Sequence, residues 1–95
     1  MAEMPLVTPG DWIHVGGQPG FNAVVCNVRP DEFRDFGDIE VVYLDYRDRA
    51  INVDLRWSGD RWEFATPQPD GGYADRYGRL SEYVRILRRG RYYNG

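Results

Sequence analysis

The sequence contains no lysine: all 12 basic residues are arginine. It has one cysteine, Cys26, and one histidine, His14. A lone cysteine forms no internal disulfide, and one Cys with one His is too small a set to hold zinc. No stretch approaches the roughly 18 consecutive apolar residues that cross a membrane. The opening residues MAEMPLVTP have neither a basic start nor an apolar run of signal length. A soluble, reduced, cytoplasmic chain is therefore expected. Positive charge is not in excess either. The formal charge is −3, which argues against a global pull toward nucleic acid. The missing lysine reads as a compositional bias of the genome or as a preference for planar, stacking cations.

Catalytic sets are missing too. A nucleophile and base would need His14 beside Cys26 or a serine, with a third group to orient the base, and no such group is identifiable. The run Gly16, Gly17, Gln18, Pro19, Gly20 lacks the lysine and following helix of a phosphate loop. The carboxylates fall on alternating strand positions and read as a solvated face. A protein without catalytic residues, metal or cofactor is expected.

What the chain does have is apolar and aromatic content. At 95 residues it makes one domain near the low end of what a single core stabilises, and 42% hydrophobic residues suffice for that core. Its 14 aromatic side chains (3 Trp, 7 Tyr, 4 Phe) are too many to be all central, and an exposed cluster of them would carry meaning.

Residues 39–64 organise the rest. They read IEVVYLDYRDRAINVDLRWSGDRWEF, two long apolar runs and a short one, separated by the turn clusters at 47–49 and 58–60. That is the pattern of a strand meander. Ile51, Val53, Leu55 and Trp57 alternate with Asn52, Asp54 and Arg56, so this strand has one wet face. Upstream, a short strand begins after Gly10 and Asp11. A turn at 16–20 returns the chain through an apolar run in which Val24, Cys26 and Val28 share a face. Pro30 ends that run, and the acidic connection that follows is expected to fold Phe33 and Phe36 back onto the core.

The spacing predicts an all-β small barrel with strands near 11–15, 22–29, 39–46, 50–57 and 61–65. Residues 1–9 read as a flexible lead-in, 10–87 as the domain and 88–95 as a basic, aromatic tail. The core is expected to include Ile13, Val15, Val24, Cys26, Val28, Val42, Leu44, Val53, Leu55 and Val84. Residues 79–89 fit two patterns. Leu80, Tyr83, Val84 and Leu87 fit a helical stripe, while Val84 and Ile86 fit a strand after one helical turn. Closure of a barrel favours the second, with a closing, possible sixth, strand near 83–87. A long helix over 79–89 packed on the sheet would count against the barrel as a whole.

The run VVYLDYRDRAINVDL at 41–55 resembles the third and fourth strands of a Tudor domain, a member of the SH3-like group of small barrels. Tyr43, Tyr46, the Asp48 turn and Leu55 fall on the family's positions. Phe21 to Val25 resemble its second strand, and Leu80 to Val84 its closing turn and strand. The resemblance implies an aromatic cage for a methylated or unmodified Arg or Lys, with Phe21, Tyr43 and Tyr46 as walls and Trp12 or His14 completing it. Asp48 stands where the family has Asn, and Arg47 where it has Gly. The functional expectation is a non-enzymatic domain that binds a protein segment through Trp12, Phe21, Tyr43, Tyr46 and Asp48. Two alternatives stay open. One is a nucleic-acid-binding barrel using Arg85, Arg88, Arg89, Arg91, Tyr92 and Tyr93. The other is a dimerisation or structural module without a ligand.

Overall fold

The computed structural model describes residues 4–16, 20–28, 37–65, 72–74 and 78–93, with backbone only at 72–73 and 91–93. Five strands follow one another: β1 (Trp12–Val15), β2 (Phe21–Val28), β3 (Ile39–Leu44), β4 (Ala50–Trp57) and β5 (Trp62–Phe64). Each pairs antiparallel with the next, in the order β1-β2-β3-β4-β5. The expected meander is present, with boundaries within about two residues of those read from the pattern. The sheet curls until Gly16 N–H of the β1 end donates to the Trp62 carbonyl of β5 (3.3 Å). The result is a half-barrel, consistent with a small SH3-like barrel.

Polar residues at the turns hold the curl. Asp38 N–H donates to the Leu55 carbonyl (2.8 Å), and its carboxylate accepts from Trp57 N–H (2.9 Å), which ties the start of β3 to the end of β4. Gly37 precedes it at φ +88°, where a Cβ would lie 2.7 Å from the Leu55 carbonyl oxygen. Only glycine fits that approach. In the β3–β4 turn, Asp48 itself takes a positive φ of 63°. Asp is one of the few residues that adopt this conformation readily. The Asp45 carboxylate stabilises the turn by accepting from Arg47 N–H and Arg49 N–H (both 2.9 Å) and from Arg49 Nε (3.2 Å). These bonds, led by the one from Arg49 N–H, hold the Asp45 carboxyl below its ordinary range.

Residues 83–87 are not a strand. They lie inside α1 (Ser81–Tyr93), entered through a 3-10 turn at Gly78–Leu80. Ser81 Oγ donates to the Gly78 carbonyl at the entry (2.9 Å), and Glu82 puts negative charge in the first turn, where the helix dipole favours it. Leu80, Val84 and Leu87 form a buried stripe, with Tyr83 and Ile86 beside it. The helix also takes in the backbone of 88–93, part of the stretch read as tail. Closure by a terminal strand is therefore replaced by a helix laid on the sheet. A sixth strand does exist, at β6 (Gly72–Tyr73), where it pairs with Ile51 and Asn52 of β4.

The helix creates a second core. The inner layer of the half-barrel holds Val15, Ala23, Val25, Ile39, Val41, Ile51, Val53, Leu55 and Trp62. Met4 and Val7 of the lead-in pack against it. The outer layer, under α1, holds Val24, Cys26, Val42, Ala50, Ala74, Leu80, Val84 and Leu87. The single core expected from the sequence is thus divided between two faces. Val15, Val53 and Leu55 are buried in the inner layer, and Ile13 and Val28, only partly buried, pack against it. Val24, Cys26, Val42, Leu44 and Val84 belong to the outer one, with Leu44 only partly buried. Val28 moves to the opposite face from Val24 and Cys26 because β2 is bulged: Val25 pairs with Val41, yet Asn27 pairs with Glu40. Cys26 is the extra residue, and it reverses the alternation after it. Phe33 and Phe36 lie outside the described residues.

Candidate functional site

The edge strands β1 and β5 bound the open seam of the half-barrel, and a groove of about 490 Å³ runs along it. Its lining brings together Trp12, Trp57 and Trp62, all the tryptophans in the chain. Trp62 is buried and meets Trp57 edge-on, with ring centroids 5.1 Å apart and planes at 65°. Such an edge-to-face pair fixes both rings. Trp12 stands across the seam, partly exposed, on the outer face of β1. Gly90 of α1 makes room for it: a Cβ there would come within 2.9 Å of Cε2 and Cη2 of the indole. Pro5 and Val7 line one flank of the groove, and His14, Asp60 and Arg61 give it a polar rim. Arg61 is drawn to Asp60 (3.7 Å) and Glu63 (3.6 Å), so the rim has no large surplus of either sign. His14 Nδ1 donates to Asn22 Oδ1 on the neighbouring strand (3.1 Å).

The residues expected to form one aromatic site are spread over three places. Phe21 and Tyr43 come together, with centroids 4.4 Å apart. The third ring beside them is Phe64, at 5.9 Å from Phe21 and 6.5 Å from Tyr43. Burial and the nearby Asp45 carboxylate raise the Tyr43 hydroxyl pKa. Tyr46 stands apart on the β3–β4 turn, 87% exposed, with the Arg47 guanidinium 5.2 Å from its ring centre. Asp48 shares that turn. Trp12 belongs to the seam. The opposite strand parity of Tyr43 and Tyr46 has this consequence: Tyr43 faces inward, and the chain leaves the sheet before Tyr46 can be turned to join it. Of the alternative set, Arg85, Arg88 and Arg89 are exposed on α1. Arg91, Tyr92 and Tyr93 belong to its last turn, with side chains outside the described residues.

One cluster escaped the sequence reading. Glu40 lies on β3, 4% exposed, and Arg79 grips it with two hydrogen bonds, Nη1 to Oε1 (2.7 Å) and Nη2 to Oε2 (2.9 Å). Cys26 is near enough to feel both charges. Burial first, then Glu40, push its thiol up to about 12, with Arg79 opposing. The thiol is therefore neutral and unreactive at neutral pH. The available signal was a lone carboxylate inside the apolar run Ile39 to Leu44, a position that burial denies to an unpaired charge.

Among the described residues, no three His, Cys, Asp or Glu side chains gather to hold a metal ion, and no helix is long and apolar enough to cross a membrane. Compared with protein-family models, curated proteins and solved structures, the chain matches none.

Proposed function

We propose that this chain is a non-enzymatic recognition domain that binds an extended, apolar, proline-containing protein segment in the seam groove. The observation that carries the reading is the convergence of Trp12, Trp57 and Trp62 on one open groove. Aromatic-lined grooves recognise extended polyproline-type segments because the rigid ligand loses little entropy and flat rings pack on proline. The chain's own Pro5 and Val7 already lie against this surface, which supports its compatibility with such a backbone. The Tudor-like reading, a segment held by its methylated or unmodified Arg or Lys, finds less support. Phe21 and Tyr43 pack on each other at 4.4 Å and leave no slot between them for an ammonium group.

Titration of the isotope-labelled protein with two peptides separates these readings. A proline-rich apolar peptide is expected to move the three indole N–H signals. Trp12→Ala, at a partly exposed ring, is expected to weaken that binding without changing the far-ultraviolet spectrum. Movement of the Phe21, Tyr43 and Phe64 signals instead, with a methylated Arg or Lys peptide, would transfer the site to the second cluster. No response to any peptide, together with self-association of the protein, would favour a dimerisation module.

A further inference from the structure

The outer surface holds a second feature, remote in chemistry from the tryptophan groove. Arg85, Arg88 and Arg89 are all exposed on α1, at positions i, i+3 and i+4, so they share one face of the helix. Arg88 Nη1 reaches the Asp48 carbonyl oxygen (3.3 Å), which brings this face against the β3–β4 turn. On that turn Tyr46 is 87% exposed and Arg47 lies over its ring. Arg88 thus joins the arginine face of α1 to the turn that carries Arg47 and the most exposed aromatic ring among the described residues, on a protein whose net charge is −3.

The acidic groups here are Asp45 and the exposed Asp48 on the turn and Glu82 on the helix, so the positive surface is partly offset. Asp45 is held by Arg49 and by the turn's own N–H groups, and Glu82 marks the N-terminal end of the helical stripe. The bond from Arg88 ends on a backbone carbonyl. Arg85 and Arg89 make no ion pair among the described residues. A tyrosine this exposed gains almost nothing from folding, and the arginine over one ring face leaves the opposite face to solvent.

We propose that this face of α1 and the β3–β4 turn form a binding site for single-stranded nucleic acid. Arg85 and Arg89 stand one helical turn apart, about 6 Å along the axis, a separation of the same order as that between neighbouring phosphates of an extended strand. Arg47 and Arg88 extend the positive surface to the turn. Tyr46 offers its open face to a base, as aromatic platforms do in single-strand sites. The aromatic decides against a duplex, whose bases are already stacked and have no face to offer. The net negative charge sets the expected character: modest affinity, strong salt dependence and little sequence preference.

Fluorescence anisotropy of a labelled short oligothymidylate tests this with the intact chain. Binding is expected at low salt, falling steeply between about 50 and 200 mM. Arg85→Gln with Arg89→Gln should reduce the slope of log affinity against log salt by about 0.7 for each arginine removed. Tyr46→Ala should weaken binding about tenfold and leave that slope unchanged, since a stacked base contributes without releasing counterions. All three substituted side chains are exposed, and an unchanged far-ultraviolet spectrum confirms that each variant folds. No binding at low salt overturns the proposal. So does equal or tighter binding of a duplex, or affinity indifferent to Tyr46→Ala, which would mark a bare attraction for polyanions.

Discussion

Glu40 and Arg79, 39 positions apart, meet in a two-point ion pair at 2.7 and 2.9 Å. The carboxylate is buried on the outer face of β3, directly across the ladder from Asp54, while the guanidinium is 58% exposed just before α1. The pair joins the segment that enters the helix to the middle of the sheet. Its two-pronged geometry suits arginine and not lysine.

Removing the arginine leaves a buried carboxylate opposite a like charge without this partner. Arg79→Ala is expected to lower stability by about 1–3 kcal/mol, below the range for a fully buried pair because Arg79 is solvated. Adding Glu40→Leu to that variant should recover part of the loss, because an apolar side chain needs no partner under the helix. Denaturant midpoints of the single and double variants check this. An unchanged midpoint in Arg79→Ala would show that the pair contributes nothing.

The two core layers differ in how completely they enclose their residues. Leu55 is fully buried in the inner layer, so Leu55→Ala should cost about 2–5 kcal/mol. Leu44, only partly buried in the outer layer, should cost about 1–2 kcal/mol on the same change. Equilibrium unfolding of both variants tests the order. A larger loss at Leu44 would mean that the face under the helix is the principal core.

Gly90 is the point where helix propensity and packing disagree. Alanine there gains about 1 kcal/mol of intrinsic helix stability, but its methyl would meet the Trp12 indole. Gly90→Ala is expected to displace the indole, shift tryptophan emission to the red and lower stability by about 1–3 kcal/mol. A stabilised variant with unchanged emission would show that the contact can yield without cost.

Alkaline pH should weaken the fold through Cys26. Its proton is held more tightly in the folded state, with a pKa near 12 against an ordinary 9.0. The stabilisation is therefore complete below the ordinary value and is lost as pH rises from there toward the folded value. The Tyr43 hydroxyl, also shifted upward, adds loss in the same direction above its ordinary pKa. Stability measured between about pH 8 and 11 should fall, and Cys26→Ala should flatten the early part of that fall. Alkylation of Cys26 should be slow in the native protein and fast in denaturant.

The meander itself was legible in the residues. Ile51, Val53, Leu55 and Trp57 alternate with polar neighbours because β4 is wetter on its outer side, and the turns at 47–49 and 58–60 separate the runs without ambiguity. β2 and β3 were harder to read for the opposite reason. Each is covered on both faces, so Val24, Val25, Val41 and Val42 are all buried and no alternation marks which is inner. The Cys26 bulge is equally silent in the sequence, yet it decides where Val28 points. The helix was one of two patterns that 80–87 permitted. The choice came from the exposed apolar outer face of β2 and β3, which a helix could cover and a strand at the edge could not.

The candidate sites show the same division. The sequence by itself determined that the chain is aromatic-rich, has one histidine and one cysteine, and is arginine-only in its basic residues other than that histidine. It named Trp12, Phe21, Tyr43, Tyr46 and the arginines of 85–89 as residues of interest. It could not say which of them meet. Strand parity and the end of β3 separate Tyr46 from Tyr43, while the curl of the sheet sets Trp12 along the same groove as Trp57 and Trp62 across 45 or more residues of chain. These proximities arise from closing the sheet edge toward edge and from laying α1 across its back. Both depend on long-range packing, in which apolar area buried between distant segments outweighs local preference, and local pattern carries no record of it.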